Sequence, residues 1–460
     1  MSAPVLTQGK VSGGLLSLTI PMILGISSNL VAALFETYLI GLIGTDELAA
    51  YSFTFPVIGA LTSFMLGISI GLSSVLARAV GGGDHSQVTR LATDGVYLMA
   101  VVMLFAAIIG LFTIEPLFMA LGADEATMPL IKSYMSIWYF GLIFFSLPSV
   151  GANALRATGD AKISGTIMVA GAILQMILDP LLILGLWGIP QLGIQGAAVA
   201  MLISRIILCL LTFYVLIYRK KLITLTASQF NLLLDSWRKI LVVGLPATAT
   251  NLIGPISTAI VVSMLAGFGK EAVAGFGIAS RLEALSVIPL FALSASIGPF
   301  VGQNWGANKR ARANQGMKLA FIWSMAWGLF IALVFLLFRD NIAALFDSSD
   351  NGDSVIYYTS LYLMIVPISY GCWGVLMMAS ATFNSLGKPL SSTTMSVLRM
   401  FVIYVPLAFI GQHYWGVIGI FGAAALSNLV MGVVAYSWNR RTYLPLIDRA
   451  PQTDKAIATG

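Results

Sequence analysis

The feature that most constrains this chain is a succession of twelve long apolar runs separated by short polar breaks. A helix needs about 20 mostly apolar residues to cross a bilayer. Inside hydrocarbon, only helices and closed barrels satisfy every backbone polar group. These runs are continuous and lack the short alternating segments of a barrel, so they predict an all-α polytopic membrane protein. The predicted spans are roughly 15–43, 51–77, 92–114, 131–155, 163–187 and 193–217, then 240–266, 273–301, 317–338, 355–382, 391–412 and 416–438. The first run is too long for a cleavable signal peptide and reads as the first span. Only 10% of the 460 residues are charged and 58% are hydrophobic, against about 25% charged in a soluble domain. So few charges cannot clothe a soluble surface of this size. That excludes a soluble enzyme, a nucleic-acid-binding protein and a disordered scaffold. Cys209 and Cys372 lie inside apolar runs and read as packing residues.

The charges mark orientation. With both termini and the even-numbered loops on one side, that side holds 19 of the 25 Lys and Arg. Lys132, Lys270 and Arg339 fall opposite, and Arg205, Arg281 and Arg399 fall within spans. The positive-inside rule then puts both termini in the cytoplasm, and the net charge of +6 is a topology signal.

The two halves match at an offset of 225–228 residues. Pro21 pairs with Pro246, Gly81 with Gly306, Gly159 with Gly387, Pro180 with Pro406 and Gly185 with Gly411. The run Gly193-Ile-Gln-Gly-Ala-Ala198 returns as Gly419-Ile-Phe-Gly-Ala-Ala424. Each repeat holds six spans, so both copies have the same orientation. The expectation is two pseudo-symmetric six-helix lobes, 1–217 and 240–438, a cytoplasmic linker 218–239 and a cytoplasmic tail 439–460. Parallel repeats of this kind are a transporter design, with passage by alternating access.

An ionisable side chain in a span is expensive and needs an explanation. The candidates are Glu36, Asp179, Arg205, Arg281, Glu283 and Arg399. Glu36 maps to Val261 and Asp179 to Val405 in the second copy, so the shared framework does not require either acid. Burial favours the neutral carboxylic acid, and such a group can take a proton on one side and release it on the other. Gln175 lies one turn before Asp179 and shares its face. Pro180 leaves the carbonyl of Met176 without a helix partner, which makes a small oxygen-rich site for a proton or Na⁺. Asn153 is the expected neighbour. Pro21 precedes Glu36 by 15 residues, about 22 Å of helix, and would let span one bend. Arg281, Glu283, Arg205 and Arg399 read first as structural. Tyr139, Trp138, Phe140, Phe144 and Trp373 could line a cavity for flat cations. The two histidines, His85 and His413, show no catalytic or metal-ligand spacing, so neither an enzyme nor a metal site is expected.

These features resemble the multidrug and toxic compound extrusion (MATE) family over essentially the whole chain. The resemblance rests on Leu34-Phe-Glu-Thr-Tyr-Leu-Ile-Gly41, Gly44 to Tyr51, Asn153-Ala-Leu-Arg-Ala-Thr-Gly-Asp160, Gly269 to Phe276 and Phe383-Asn-Ser-Leu-Gly-Lys-Pro389. It implies a monomeric antiporter of the cytoplasmic (inner) membrane, without cofactor, that exports cationic amphiphilic compounds against inward H⁺ or Na⁺ movement. By the same resemblance Glu36 and Asp179 bind the coupling ion, Gln175 and Asn153 orient them, and Pro21 bends span one; Tyr139, from its place among the aromatics, is expected at the substrate site. Acids that one branch carries in spans seven and ten are missing around Ile253 and Trp373. The chain thus looks more like the DNA-damage-inducible branch, with its ion site in the N-terminal lobe. Met201 stands where some members have Thr, and Gln175 where Asn is usual; both changes remove or move an oxygen and favour H⁺ over Na⁺. The competing reading is a lipid-linked oligosaccharide flippase, whose anionic substrate would recruit Arg205, Arg281 and Arg399.

Overall fold

The computed structural model describes residues 5–188, 190–224, 229–344 and 352–448. The first half folds as α1 (Val11–Ile43), α2 (Thr45–Gly82), α3 (His85–Ala120), α4 (Met128–Ala157), α5 (Ala161–Ile183) and α6 (Ile194–Tyr214). The second half comprises α7 (Phe230–Ala266), α8 (Lys270–Ser286), α9 (Ile288–Gly306), α10 (Arg310–Ala344), α11 (Gly352–Ile365), α12 (Tyr370–Ser385), α13 (Pro389–Val397) and α14 (Val405–Asp448).

Twelve transmembrane spans follow, six in each half, although the second half draws them differently. α8 and α9 form one span, bent by 44° at Val287, just ahead of Pro289. α11 and α12 form another, joined by a 3-10 stretch, Val366–Ser369. α13 runs through a π-helical stretch, Leu398–Tyr404, into α14. Residues 389–443 would be about 80 Å long as one straight helix, far more than a bilayer of about 30 Å needs. Gly416, at φ 56°, reverses the chain instead. Gly411 and Gly419 accordingly lie backbone to backbone across the turn.

The duplication is visible in backbone detail. Gly159 and Gly387 both adopt φ above +70°, and each is followed by an amide that reaches back to the carbonyl five residues earlier, Asp160 to Leu155 and Lys388 to Phe383. This is the helix-ending turn that glycine favours. Gly193 (φ 58°, ψ −135°) and Gly416 (φ 56°, ψ −135°) match in the same way. Their spacing is 223, so the second Gly-x-x-Gly turn begins one helical turn before the Gly419 of the sequence pairing.

The chain forms two compact units, residues 20–248 and residues 1–19 with 249–460. Their boundaries fall inside α1 and α7, not at the ends of the expected linker. Hydrogen bonds give the reason. Leu6, Thr7, Gln8 and Gly9 are tied to Gln303, Asn304, Lys309 and Arg312. In the other unit, Thr224 donates to Thr93 and the Trp237 indole to the Asp94 carbonyl. Residues 230–239 of the expected linker begin α7, and residues 439–448 of the expected tail end α14. Linker residues 225–228 and tail residues 449–460 lie outside the described residues.

Each unit has its own apolar core. The first is built around Ile68, Leu72, Met103, Tyr134 and Tyr139, the second around Phe276, Leu290, Tyr362, Tyr370 and Phe421. Outward-facing Phe105, Phe112, Leu210, Leu329 and Leu337 are exposed, an exterior suited to lipid rather than water.

Candidate functional site

The first unit brings three of the expected site residues together. Gly165 of α5 sits directly against the backbone of Pro21, and Gly25 of α1 against Met168. With no side chain on either glycine, α1 and α5 approach closely at these two points. Further along the pair, Gln175 Nε2 donates to Glu36 Oε2 at 3.0 Å. Asp179 lies one turn beyond Gln175 and is 0% exposed, with no hydrogen-bond partner on either carboxyl oxygen. Glu36 and Gln175 are likewise buried, and Glu36 Oε1 has no partner. The two acids are near enough to feel each other's charge.

Groups that the sequence reading did not assign surround the acids. Tyr51 of α2 stands beside Glu36, and its ring meets Tyr134 of α4 edge to face at 5.4 Å. Arg205 of α6 is within electrostatic reach of Glu36, its guanidinium 4.7 Å above the Phe145 ring and its Nε unpartnered. One signal for Tyr134 was present in the sequence: it matches Tyr362 at the 228-residue offset. Asp94 was also missed. Two residues inside the third predicted span, it is fully buried with both carboxyl oxygens unpartnered.

Other candidates are placed differently. Asn153 donates to the Ser149 carbonyl at 2.9 Å and accepts from Arg156 at 2.6 Å, and Arg156 also donates to Ser164. Its amide thus serves a buried arginine three residues along its own helix. Tyr139 packs on Gly110 and against Trp138 in the core. α1 runs through Pro21, and α5 through Pro180, without a break in the helix. Among the described residues, no group of three or more His, Cys, Asp or Glu could hold a metal ion.

Twelve apolar spans in two repeats, with an acid pair buried in one of them, define a multi-pass membrane transporter. The comparisons with known proteins narrow this. The MatE family profile matches residues 21–181 and again 246–410, so the chain belongs to the MATE family of transporters. It is 35% identical to the "FAD transporter" of Shewanella oneidensis over 97% of each chain. It is 28% identical to the "Probable multidrug resistance protein YoeA" of Bacillus subtilis, over 88% of this chain and 89% of that one. A crystal structure of the Vibrio cholerae MATE transporter VcmN in its bent form superposes with a TM-score of 0.88 at 27% identity, covering 97% of this chain and 98% of that one.

Proposed function

We propose that this chain is an H⁺-coupled exporter of amphiphilic aromatic compounds, working by alternating access in the cytoplasmic membrane with both termini inside. The observation that carries this reading is the Glu36–Gln175–Asp179 cluster. It holds two carboxyls out of water and leaves three of their four oxygens without a partner. An uncompensated buried carboxylate is strongly disfavoured, so a proton entering from outside is the simplest way to neutralise each acid. Na⁺ requires several well-placed oxygens, and the one amide at hand, Gln175, presents its N–H₂ to Glu36.

Two substrate classes are supported by different observations. Direct charge coupling favours a cationic amphiphile: protonating Glu36 or Asp179 weakens the hold on a cation and releases it outside. The multidrug names of relatives such as YoeA point the same way. Flavin adenine dinucleotide is favoured by the Shewanella relative, which covers almost the whole chain. A dinucleotide is anionic and would not be repelled by neutralising an acid, so its coupling would run through the conformational exchange. The deciding experiment uses purified full-length protein in vesicles under an imposed H⁺ or Na⁺ gradient, with ethidium or FAD as cargo. Export of either driven by ΔpH supports the reading, and the cargo that moves identifies the class. Transport indifferent to both gradients would sink it.

A further inference from the structure

The second unit contains a partly buried, hydrogen-bonded acid that the proposed mechanism does not use. Glu283, in the last turn of α8, accepts hydrogen bonds from Tyr362 Oη at 2.5 Å and Tyr370 Oη at 2.9 Å, both on Oε2. Arg399 is within electrostatic reach of it, yet makes no ion pair with it among the described contacts. Arg399 Nη1 instead donates to Asn428 Oδ1 at 3.0 Å, and Asn428 Nδ2 donates to Ser369 Oγ at 3.0 Å. The arginine is therefore held to one side: its charge reaches the carboxylate, but the direct hydrogen bonds come from the two phenols. Tyr362, Tyr370, Arg399 and, beyond them, Tyr404 are the titratable or charged groups that face it from the neighbouring elements.

An independent observation concerns the backbone. The cluster stands where three spans lose their regular helix. Glu283 lies four residues before the 44° bend at Val287. Ser369 and Tyr370 form the junction between the 3-10 stretch Val366–Ser369 and α12. Arg399 and Tyr404 belong to the π-helical stretch Leu398–Tyr404. Pro289 and Pro367 lack an N–H, so the carbonyls four residues before them lose their usual helix donors. Irregular backbone at membrane depth is tolerated where it is buried in protein or lines a site, and interrupted helices with freed carbonyls are where transporters hold their coupling ions. The spans that carry Glu36, Asp179 and Arg205 are unbroken α-helix at those residues.

We propose that Glu283, Tyr362 and Tyr370 form a second coupling-cation site, for H⁺ or Na⁺, inside the second unit. The inference rests on the reading of the chain as a cation-coupled exporter and adds a site to it. With a cation on the carboxylate, the tyrosines' hydrogen bonds loosen; without it, they pin α8 to α11 and α12 across the helix breaks. Occupancy of the site is thereby linked to the geometry of three spans.

Infrared difference spectroscopy on the full-length protein in a bilayer tests this without knowledge of the cargo. Spectra are taken on raising the pH in choline buffer, and separately on adding Na⁺ at constant pH. The wild type is expected to lose protonated-carboxyl signal with pH, and Glu283→Gln is expected to lack one component that Glu36→Gln and Asp179→Asn retain. A Na⁺-induced carboxylate change absent from Glu283→Gln assigns the site to Na⁺; a pH-induced one alone assigns it to H⁺. Gln keeps an acceptor for both tyrosines, so the variant is expected to fold. Tyr370→Phe should shift the same component and no other. If Glu283→Gln leaves both difference spectra unchanged, the second site is overturned, whatever the first unit does. If instead Glu36→Gln and Asp179→Asn leave the spectra unchanged, the proposed coupling at the first unit fails and the second site is judged on its own component.

Discussion

The two units treat buried charge in opposite ways on a duplicated scaffold. In the first, Glu36 and Asp179 sit on regular helices; Gln175 donates to Glu36 alone, and the other three carboxyl oxygens are unpartnered. In the second, both positions are valines, and a single acid arrives from another span, satisfied by two tyrosines beside three helix breaks. Common to both is one tyrosine of the fourth span of each repeat, Tyr134 and Tyr362. The matching turns at Gly193 and Gly416 also place Asn428 where the first unit has Arg205, and Asn428 is the residue that holds Arg399 aside. Duplication thus fixed where the helices go, and point changes then decided which helix supplies the charge. The unsatisfied acids of the first unit suit a proton carrier, whereas the tethered acid of the second suits a ligand-gated clamp.

The sharpest way to break this contrast is to neutralise the first unit. Asp179→Asn and Glu36→Gln are each expected to reduce ΔpH-driven export in vesicles to background. Export that survives in both would remove the acid pair from the coupling mechanism.

Packing gives the next contrast. Gly67 lies against the backbone of Thr248, and Gly328 against Gly371. A leucine at either position overpacks a helix contact, typically at about 1–3 kcal/mol. Gly67→Leu should lower the thermal midpoint in detergent more than Gly328→Leu, because Gly371 adjoins a helix break that can shift. Equal losses would mean that the breaks in the second unit are as rigid as regular helix.

A comparable loss is expected from Asn153→Ala, which removes one acceptor of buried Arg156 and leaves its bond to Ser164; a buried donor left unpaired in this way costs about 1–3 kcal/mol. Its export should keep the wild-type pH dependence. A displaced pH profile would restore Asn153 to the ion site.

The smallest effect concerns the turn before the third span. Asp84 accepts from the backbone N–H of Gln87 at 3.0 Å, which holds its carboxyl below the usual carboxylate range. Its contribution is therefore present above the unfolded value of about pH 3.9 and fades as pH falls through the lower folded value. Asp84→Ala should lower the unfolding temperature slightly at neutral pH, and the gap from wild type should close in acid. The matching residue of the second repeat, Lys309, donates to the Thr7 carbonyl instead. Lys309→Ala should show no such closing of the gap.

How far the site could be read from sequence varied residue by residue. The repeat marked Glu36 as unmatched and helical spacing put Gln175 and Asp179 on one face, but only the family resemblance grouped Glu36 with them; the Glu36–Gln175 hydrogen bond itself joins two spans 139 residues apart. The place of Asn153 was not legible, since a nearest-neighbour expectation could not weigh the competing claim of Arg156 three residues away on the same helix. Glu283 read as structural because Arg281, two residues off, points elsewhere along the helix; its true partners are 79 and 87 residues distant. Asp94 escaped notice because a charge near a span end looks like an end-of-span charge. The start of α7 also meets this residue, 143 positions away in sequence, where Trp237 donates to its backbone carbonyl.

By itself the sequence determined the solvent, the number of spans and the twofold repetition. Each is set by local quantities: the length of an apolar run, the price of charge in lipid and the identity of residues at a fixed offset. Tertiary structure alone decided that the compact units exchange the beginnings of α1 and α7, that three spans of the second repeat are irregular, and which buried acids found donors. Those outcomes depend on contacts between helices far apart in sequence. A periodic pattern shows which face of a helix is polar, but not which neighbour that face will meet.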